Sequence, residues 1–389
     1  MKILIAHNGY QLSGGEDAVV DAEITLLRKY GHEVEVYRRH NDELKSMHKA
    51  MAAVSAVWSH GAATEMKRIC TSFRPDVIHA HNTFPLISPS FTWMAARKNI
   101  PVVQTLHNFR LLCPQATLLR NGKVCEECVG KVPWRAVTRK CYRDSVAQSA
   151  VAATALAAHK AIGTYQNKIT SYIALNAFCR NKFIEGGLPA ERIRLKPHFV
   201  VSDTIPTSKN RRGGLFIGRL SPEKGLDVLI DAVNQLKISS IRIIGTGPLE
   251  SRVQQEFNQS HLGMKSRDEV LCLLRQSLFL VAPSTCYETF GLTVVEAYAS
   301  GTPVIASRHG AYAEIVNDGI TGLLFTPGDA ADLAAKIAWA ESHPEQMLAM
   351  GRAARIEYEA RYTPQRNYKL LIGIYENALG ATHQEYQVA

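Results

Sequence analysis

Apolar residues follow two rhythms along the chain. Short, nearly continuous apolar runs alternate with longer segments in which apolar positions recur every three or four residues. The first rhythm belongs to strands buried on both faces of a parallel sheet, the second to amphipathic helices packed on it. The runs fall at residues 2–6, 33–37, 77–80, 102–106 and 172–175. A second series falls at 215–218, 241–244, 278–282, 304–306 and 322–325. Helices are expected between them, for example over 17–30 and 226–235. The alternation predicts an α/β protein with parallel sheets, in two series rather than one.

Between the series, residues 196–214 hold Pro197, Pro206, a Ser/Thr cluster and Lys209-Asn210-Arg211-Arg212 before Gly213-Gly214, a composition expected of an exposed linker. A length of 389 residues fits two domains, expected over 1–200 and 213–362. After Thr363-Pro364, Tyr368, Leu371, Ile372 and Tyr375 give a closing helix over 363–389 an apolar face that must dock. The Ala-rich stretch 146–162 is broken by Gln148, Ser149, His159 and Lys160, so it reads as a packed helix rather than a membrane span. The opening apolar run is too short for a signal-peptide core, and a cytoplasmic protein is expected.

Charge changes the picture in one respect. The net charge is +10, and residues 1–200 hold 27 Lys and Arg against 15 Asp and Glu, a balance of +12. Either the first half meets something acidic, such as anionic lipid headgroups or a phosphorylated acceptor, or it is a solvated basic surface. No zinc-finger, KH or RNP signature accompanies the charge, so no nucleic-acid partner is expected.

The most specific chemistry lies in Ser284-Thr285-Cys286-Tyr287-Glu288-Thr289-Phe290-Gly291-Leu292-Thr293-Val294-Val295-Glu296-Ala297. Two carboxylates flank a glycine turn that opens a helix at the carboxyl end of a strand, where open α/β sheets bind ligands. Free N–H groups around Phe290, Gly291, Leu292 and Thr293 would hold a diphosphate. Glu288 is placed for sugar hydroxyls, and Glu296, about two turns into the helix, for a ribose. In Gly218-Arg219-Leu220-Ser221-Pro222-Glu223-Lys224-Gly225, Arg219 as a fork and Lys224 as a point charge can grip a diphosphate. Ile244-Gly245-Thr246-Gly247-Pro248 lacks the third glycine of a dinucleotide fingerprint. Gly14 and Gly15, before Glu16-Asp17, open the first helix and allow close backbone approach to a phosphate.

Glu288 and Glu296, with Thr-Phe-Gly-Leu after the first, resemble the E-x7-E motif of retaining GT-B-fold glycosyltransferases, which include many cell-envelope and lipopolysaccharide enzymes. The match continues through residues 298–306 and 317–324, and the resemblance covers nearly the whole chain. It implies two facing Rossmann-like domains with a C-terminal helix crossing back to the first. The implied activity is transfer of a hexose-type sugar from a UDP- or GDP-linked donor to a glycan or lipid-linked acceptor, with retention and without a catalytic metal or other required cofactor. It places the donor mainly on the second domain, with Arg219, Lys224 and Glu288 at the chemistry. Thr289 and Glu296, the glycines Gly218, Gly245 and Gly247, and the segment of Met264 line its nucleotide. Gly14 and Gly15 close over its phosphates, and His107 touches the transferred sugar, with His79 and His81 shaping the wall nearby. An epimerase and a catalytically silent nucleotide-sugar binder are the other readings of the same fold.

One feature departs from the generic pattern. Cys113, Cys125, Cys128 and Cys141 fall within 29 residues as C-x11-C-x2-C-x12-C among many basic residues. Four thiolates with a close inner pair fit a structural zinc shell, and the other reading is four reduced, unconnected cysteines.

Overall fold

The computed structural model describes residues 1–11, 14–202, 210–236 and 240–387, the last helix without side chains beyond Thr382. The chain forms two compact units. One comprises Met1–Leu118, Glu126–Pro197 and Asn367–Ala389, the other Leu119–Cys125 and His198–Arg366.

The first unit is built on a six-stranded parallel sheet. Its strands are β1 (Lys2–Gly9), β2 (Glu33–His40), β3 (Val77–Ala80), β4 (Val102–Thr105), β7 (Ser171–Ala174) and β8 (Ile193–Leu195), in the order β2-β1-β3-β4-β7-β8. The hairpin β5 (Leu119–Arg120) and β6 (Lys123–Val124) interrupts the series. Its Asn121-Gly122 turn has positive φ at both residues, the dipeptide and conformation of a tight two-residue loop. β3 and β7 are buried throughout, whereas β2 is largely half-buried or exposed at the sheet edge, which its alternation of Glu, Arg and apolar residues allows.

Strand β1 runs three residues beyond its apolar run because His7 and Asn8 are buried yet paired: His7 Nε2 lies 2.8 Å from Asp17 Oδ1, and Asn8 Nδ2 donates to Asn41 Oδ1. β8, with one buried residue in three, carried too little apolar signal to be expected. The closing helix, Pro364–Gln387, packs Leu371, Ile374, Tyr375 and Ala378 onto Ile3, Ile5, Val20, Val103 and Ile173. Their spacing is that of one helix face, and each large side chain so buried contributes about 1.5–3 kcal/mol.

The second unit holds a five-stranded parallel sheet in the order β10-β9-β11-β12-β13. The strands are β9 (Gly214–Ile217), β10 (Ile241–Ile244), β11 (Phe279–Ala282), β12 (Val304–Ser307) and β13 (Gly322–Phe325). Leu226, Leu229 and Ala232 of the helix Leu226–Gln235 join Phe216, Ile243, Val281, Ile305 and Phe325 in its core.

The expected linker is corrected at both ends. Lys196, His198, Phe199, Val200 and Arg211 are buried; residues 203–209 lie outside the described part. Composition misled here because each buried cation has partners far away in sequence, Arg211 donating to Ser300 O and Thr302 Oγ1. The stretch expected as a packed helix forms Val146–Ala161, and among the described residues no helix is long and apolar enough to cross a membrane.

Candidate active site

In the second unit the chain turns back beside β9: β10 pairs on one side and β11 on the other. Loops leaving β9 and β11 therefore diverge at a topological switch point, where open α/β sheets leave a crevice for ligands. Lys224 follows β9 and Glu288 follows β11. They are 64 residues apart in sequence, yet Lys224 Nζ donates to Glu288 Oε1 at 2.7 Å. The approach depends on Gly225, whose φ is +72° and whose missing Cβ would stand 1.8 Å from Pro283 O. Thr285 N, donating to Glu223 O at 3.0 Å, ties the two loops together. Ser284 Oγ donates to the same carboxylate oxygen at 2.7 Å, and His309 Nε2 lies 2.8 Å from Ser284 O.

Burial alone would push the Glu288 carboxyl up, but Lys224 and the Ser284 hydroxyl outweigh it and hold its pKa below the ordinary value. Lys224 shows the mirror effect: burial works against its charge, and Glu288 raises it above the usual lysine range. The pair therefore carries both charges at neutral pH and can change partners without a proton moving.

The helix Leu292–Ala299 begins at Gly291, whose φ of +81° only glycine adopts readily and whose Cβ would strike the Tyr312 ring. Its N-cap, Gly291, has no side chain with which to satisfy the first N–H groups, so the helix start suits an anion. Glu296 lies one turn into the helix, not two, and burial raises its pKa to about 7. Thr289 and Thr293 are half-buried, whereas Phe290 is buried among the His198 and Tyr362 rings, so only its backbone can face a ligand.

Gly245 and Gly247 serve packing first. Their φ values are +138° and +157°, and a Cβ on either would collide with the carbonyl of Gly218 or Leu220, so the loops after β9 and β10 touch backbone to backbone. Arg219, beside Gly218, and Met264, beside Gly263, are exposed, and the segment of Met264 is loop anchored by Leu262 N donating to Ile243 O.

In the first unit Gly14 and Gly15 are exposed at the start of the helix Gly15–Lys29; Leu12 and Ser13 of that loop lie outside the described residues. Asp17 reaches back to Gly14 N. Next to it stands Glu16, which the sequence reading passed over: Tyr10 Oη donates to its Oε2 at 2.9 Å, its Oε1 is buried without a hydrogen bond, and burial lifts its pKa to about 7. His107 follows β4 and sits half-buried with Nε2 2.8 Å from Nδ1 of His81, a residue of the loop after β3.

Among the described residues, the ligand atoms of His, Cys, Asp and Glu come within 4.8 Å of one another in one trio, Glu23, His79 and His81. Cys113, Cys125, Cys128 and Cys141 form no such grouping; Cys113 is buried and the others half-buried.

Two family matches divide the chain between them. Residues 13–203 match Glycosyltransferase Family 4, and residues 204–357 match Glycosyl transferases group 1. Together these two glycosyltransferase domain matches run from residue 13 to residue 357. Over 169 residues it is 36% identical to an uncharacterized glycosyltransferase, MJ1178, of Methanocaldococcus jannaschii, covering 42% of this chain and 47% of that protein. It is 31% identical over 157 residues to the D-rhamnosyltransferase WbpZ of Pseudomonas aeruginosa, covering 38% and 41%. The matched region thus spans less than half the length of either relative. Solved structures resemble the whole chain. Anabaena Alr3699/HepE in complex with UDP-glucose aligns with a TM-score of 0.67 at 20% identity, covering 97% of this chain and all of that one. Sucrose-phosphate synthase from Thermosynechococcus elongatus aligns at 0.69 and 18%, covering both chains fully. The fold is GT-B.

Proposed function

We propose that this protein transfers a hexose-type sugar from a nucleoside-diphosphate sugar to a glycan or lipid-linked acceptor, with retention of anomeric configuration. The observation that carries the reading is the Lys224–Glu288 pair beside an uncapped helix start at the switch point of the second sheet. One carboxylate, one cation and several N–H groups converge there, which suits a sugar bearing a diphosphate better than either part alone.

In this reading the donor's diphosphate lies on the N–H groups of Leu292 and Thr293. Lys224 turns from Glu288 to the phosphate, with Arg219 on its other side. Glu288 is then released to accept hydroxyls of the sugar, and Glu296 holds the ribose. The acceptor oxygen forms its bond to the anomeric carbon on the face from which the diphosphate departs. The acceptor's proton passes to the departing phosphate oxygen. The cations and N–H groups offset the charge that develops on the diphosphate, so no enzyme nucleophile is needed. Acceptor binding is assigned to the first unit, where its excess of basic residues favours a phosphorylated or lipid-linked partner at an anionic surface.

That a relative structure holds UDP-glucose supports a UDP-sugar as the first donor to try. Thermal stabilisation by a panel of UDP- and GDP-sugars, followed by nucleoside diphosphate release with and without acceptor, tests the proposal. Stabilisation without any release would make the protein a binder, and stabilisation by no sugar nucleotide would refute the reading.

A further inference from the structure

The basic excess of the first half is concentrated in one stretch. Residues 110–143 hold eight Lys and Arg against two Asp and Glu, an excess of +6 and half of that carried by residues 1–200. Six of the eight cations, Arg110, Lys131, Arg135, Arg139, Lys140 and Arg143, belong to the first unit. Both acids are already engaged. Glu127 pairs with Arg135 and Arg139, and Lys182 Nζ lies 2.8 Å from Glu126 Oε1.

Two apolar side chains stand in water among these cations, within Lys131-Val132-Pro133-Trp134-Arg135. Val132 is 64% exposed and Trp134 60%, although the short helix Trp134–Thr138 buries Ala136. The loop borders a groove of about 250 Å³ walled by Leu111, Leu112, Pro133, Leu156, Ala157 and Leu188, all of the first unit. Lys131 and Lys160 line it as well. Lys160 Nζ donates to Gly130 O at 3.2 Å and to Gly186 O at 3.5 Å, so its partners are neutral carbonyls. Among the described residues neither lysine pairs with a carboxylate.

Apolar walls beside uncompensated cations suit an anionic amphiphile. A second copy of the chain would bring cations against cations. A nucleic acid would answer the charge but leave the aliphatic walls of the groove unmatched. An anionic phospholipid answers both, its phosphate meeting the lysines and its chain the groove. A bilayer of such lipids also accounts for an exposed tryptophan beside basic residues, because indole rings favour the headgroup level and Lys and Arg favour an anionic leaflet.

We propose that residues 130–135 and the groove beside them dock on an anionic phospholipid bilayer. Lys131 and Lys160 meet lipid phosphates, Val132 and Trp134 enter the headgroup region, and the groove takes part of one hydrocarbon chain. Docking of this kind deepens the reading of an anionic surface for the first unit, on which it rests, and needs neither donor nor acceptor.

Flotation of the full chain with phosphatidylcholine vesicles, with and without phosphatidylglycerol, tests it. Binding is expected with phosphatidylglycerol and not without it, and should weaken in about 1 M salt, where the screening length is about 3 Å. Lys131→Gln and Lys160→Gln should each lower the partition coefficient about fivefold, the scale for one basic residue at an anionic surface. Lys29→Gln, which removes the same charge at the end of the helix Gly15–Lys29, should change it little. Trp134→Ala should weaken binding more than Ile356→Ala, an equally exposed apolar residue of the second unit. All of these side chains are exposed, so the variants are expected to fold. Tryptophan emission, taken as the difference between wild type and Trp134→Phe, should move to shorter wavelength with the anionic vesicles. Equal binding to both kinds of vesicle overturns the proposal, as does an unmoved Trp134 emission or a loss on Lys29→Gln as large as on Lys131→Gln. Self-association or polyphosphate binding that depends on Lys131, with vesicles left unbound, overturns it too. A wild type that transfers sugar but floats with neither vesicle loses the docking alone. One that floats with anionic vesicles but releases no nucleoside diphosphate upholds the docking and loses the transfer reading.

Discussion

Replacing Lys224 with methionine keeps the aliphatic stem and removes the charge, leaving Glu288 with Ser284 but no cation. The two side chains are 31% and 13% exposed, so the pair is largely withdrawn from water. Breaking such a pair by deleting one partner costs about 3–5 kcal/mol, and the partial exposure of Lys224 favours the lower end, about 3 kcal/mol. For a cooperative unit of about 150–250 residues each kcal/mol lowers Tm by roughly 2–4 °C, so a fall of roughly 6–12 °C is expected at pH 7. The double variant Lys224→Met/Glu288→Gln, which leaves no orphaned charge, should recover most of that loss.

The pH dependence has a definite sign. Because the folded pKa of Glu288 is depressed, its contribution is complete above the unfolded value of about 4.3 and disappears as pH falls through the folded one. The gap in Tm between wild type and Lys224→Met should therefore close as the pH is taken below about 4.3. Calorimetry over pH 3–8 measures it. Turnover with a matching donor should drop by roughly 10²–10³, the scale for losing one preorganised group at a developing anion. Equal Tm values at pH 7, or a double variant no more stable than the single one, would refute the pairing argument. Unchanged turnover would refute the role of Lys224 at the diphosphate.

Three further outcomes are expected. Glu296→Ala should weaken UDP or GDP binding by about tenfold or more, the scale of a charged hydrogen bond. Because burial sets the Glu296 pKa at about 7, wild-type affinity should rise as pH passes that value while Glu296→Gln stays flat; titration calorimetry that shows parallel profiles removes Glu296 from the nucleotide site. Glu16, also raised to about 7, binds a proton in the folded state that the unfolded chain has lost, so it costs stability as pH rises from about 4.3 to 7. Glu16→Gln should gain in Tm on the wild type across that window, and an unchanging gap would contradict the burial of its charge. Gly225→Ala should lower Tm well beyond Gly319→Ala. The two share nearly the same positive φ, +72° and +76°, but only Gly225 faces a backbone carbonyl; similar losses would mean that the close approach to Pro283 is unimportant.

Much of this protein is legible in its sequence. Apolar runs placed every strand of both sheets except β8, because a strand buried on both faces must be apolar throughout whereas β8 is largely exposed. The segment from Ser284 to Ala297 stood out because its residues are neighbours in sequence, and a turn, a helix start and two carboxylates are local matters. Pairings over long separations were not readable. Nothing local tells Lys224 that it meets Glu288 rather than water; the order β10-β9-β11 and the bare backbone of Gly225 decide that.

Glu23 gave a trace of itself, a carboxylate in the apolar stripe of Val19, Val20, Ile24 and Leu27, whereas Lys196 looked like the start of a linker. Folding brings them within 2.8 Å across 173 residues, since a buried charge is tolerated only where the fold supplies its opposite. The sequence alone thus determined most of the segments that become strands and helices, and it pointed to the residues proposed for phosphate and sugar. Tertiary structure alone decided which charges face one another, because that depends on sheet order and on close backbone contacts between residues far apart along the chain.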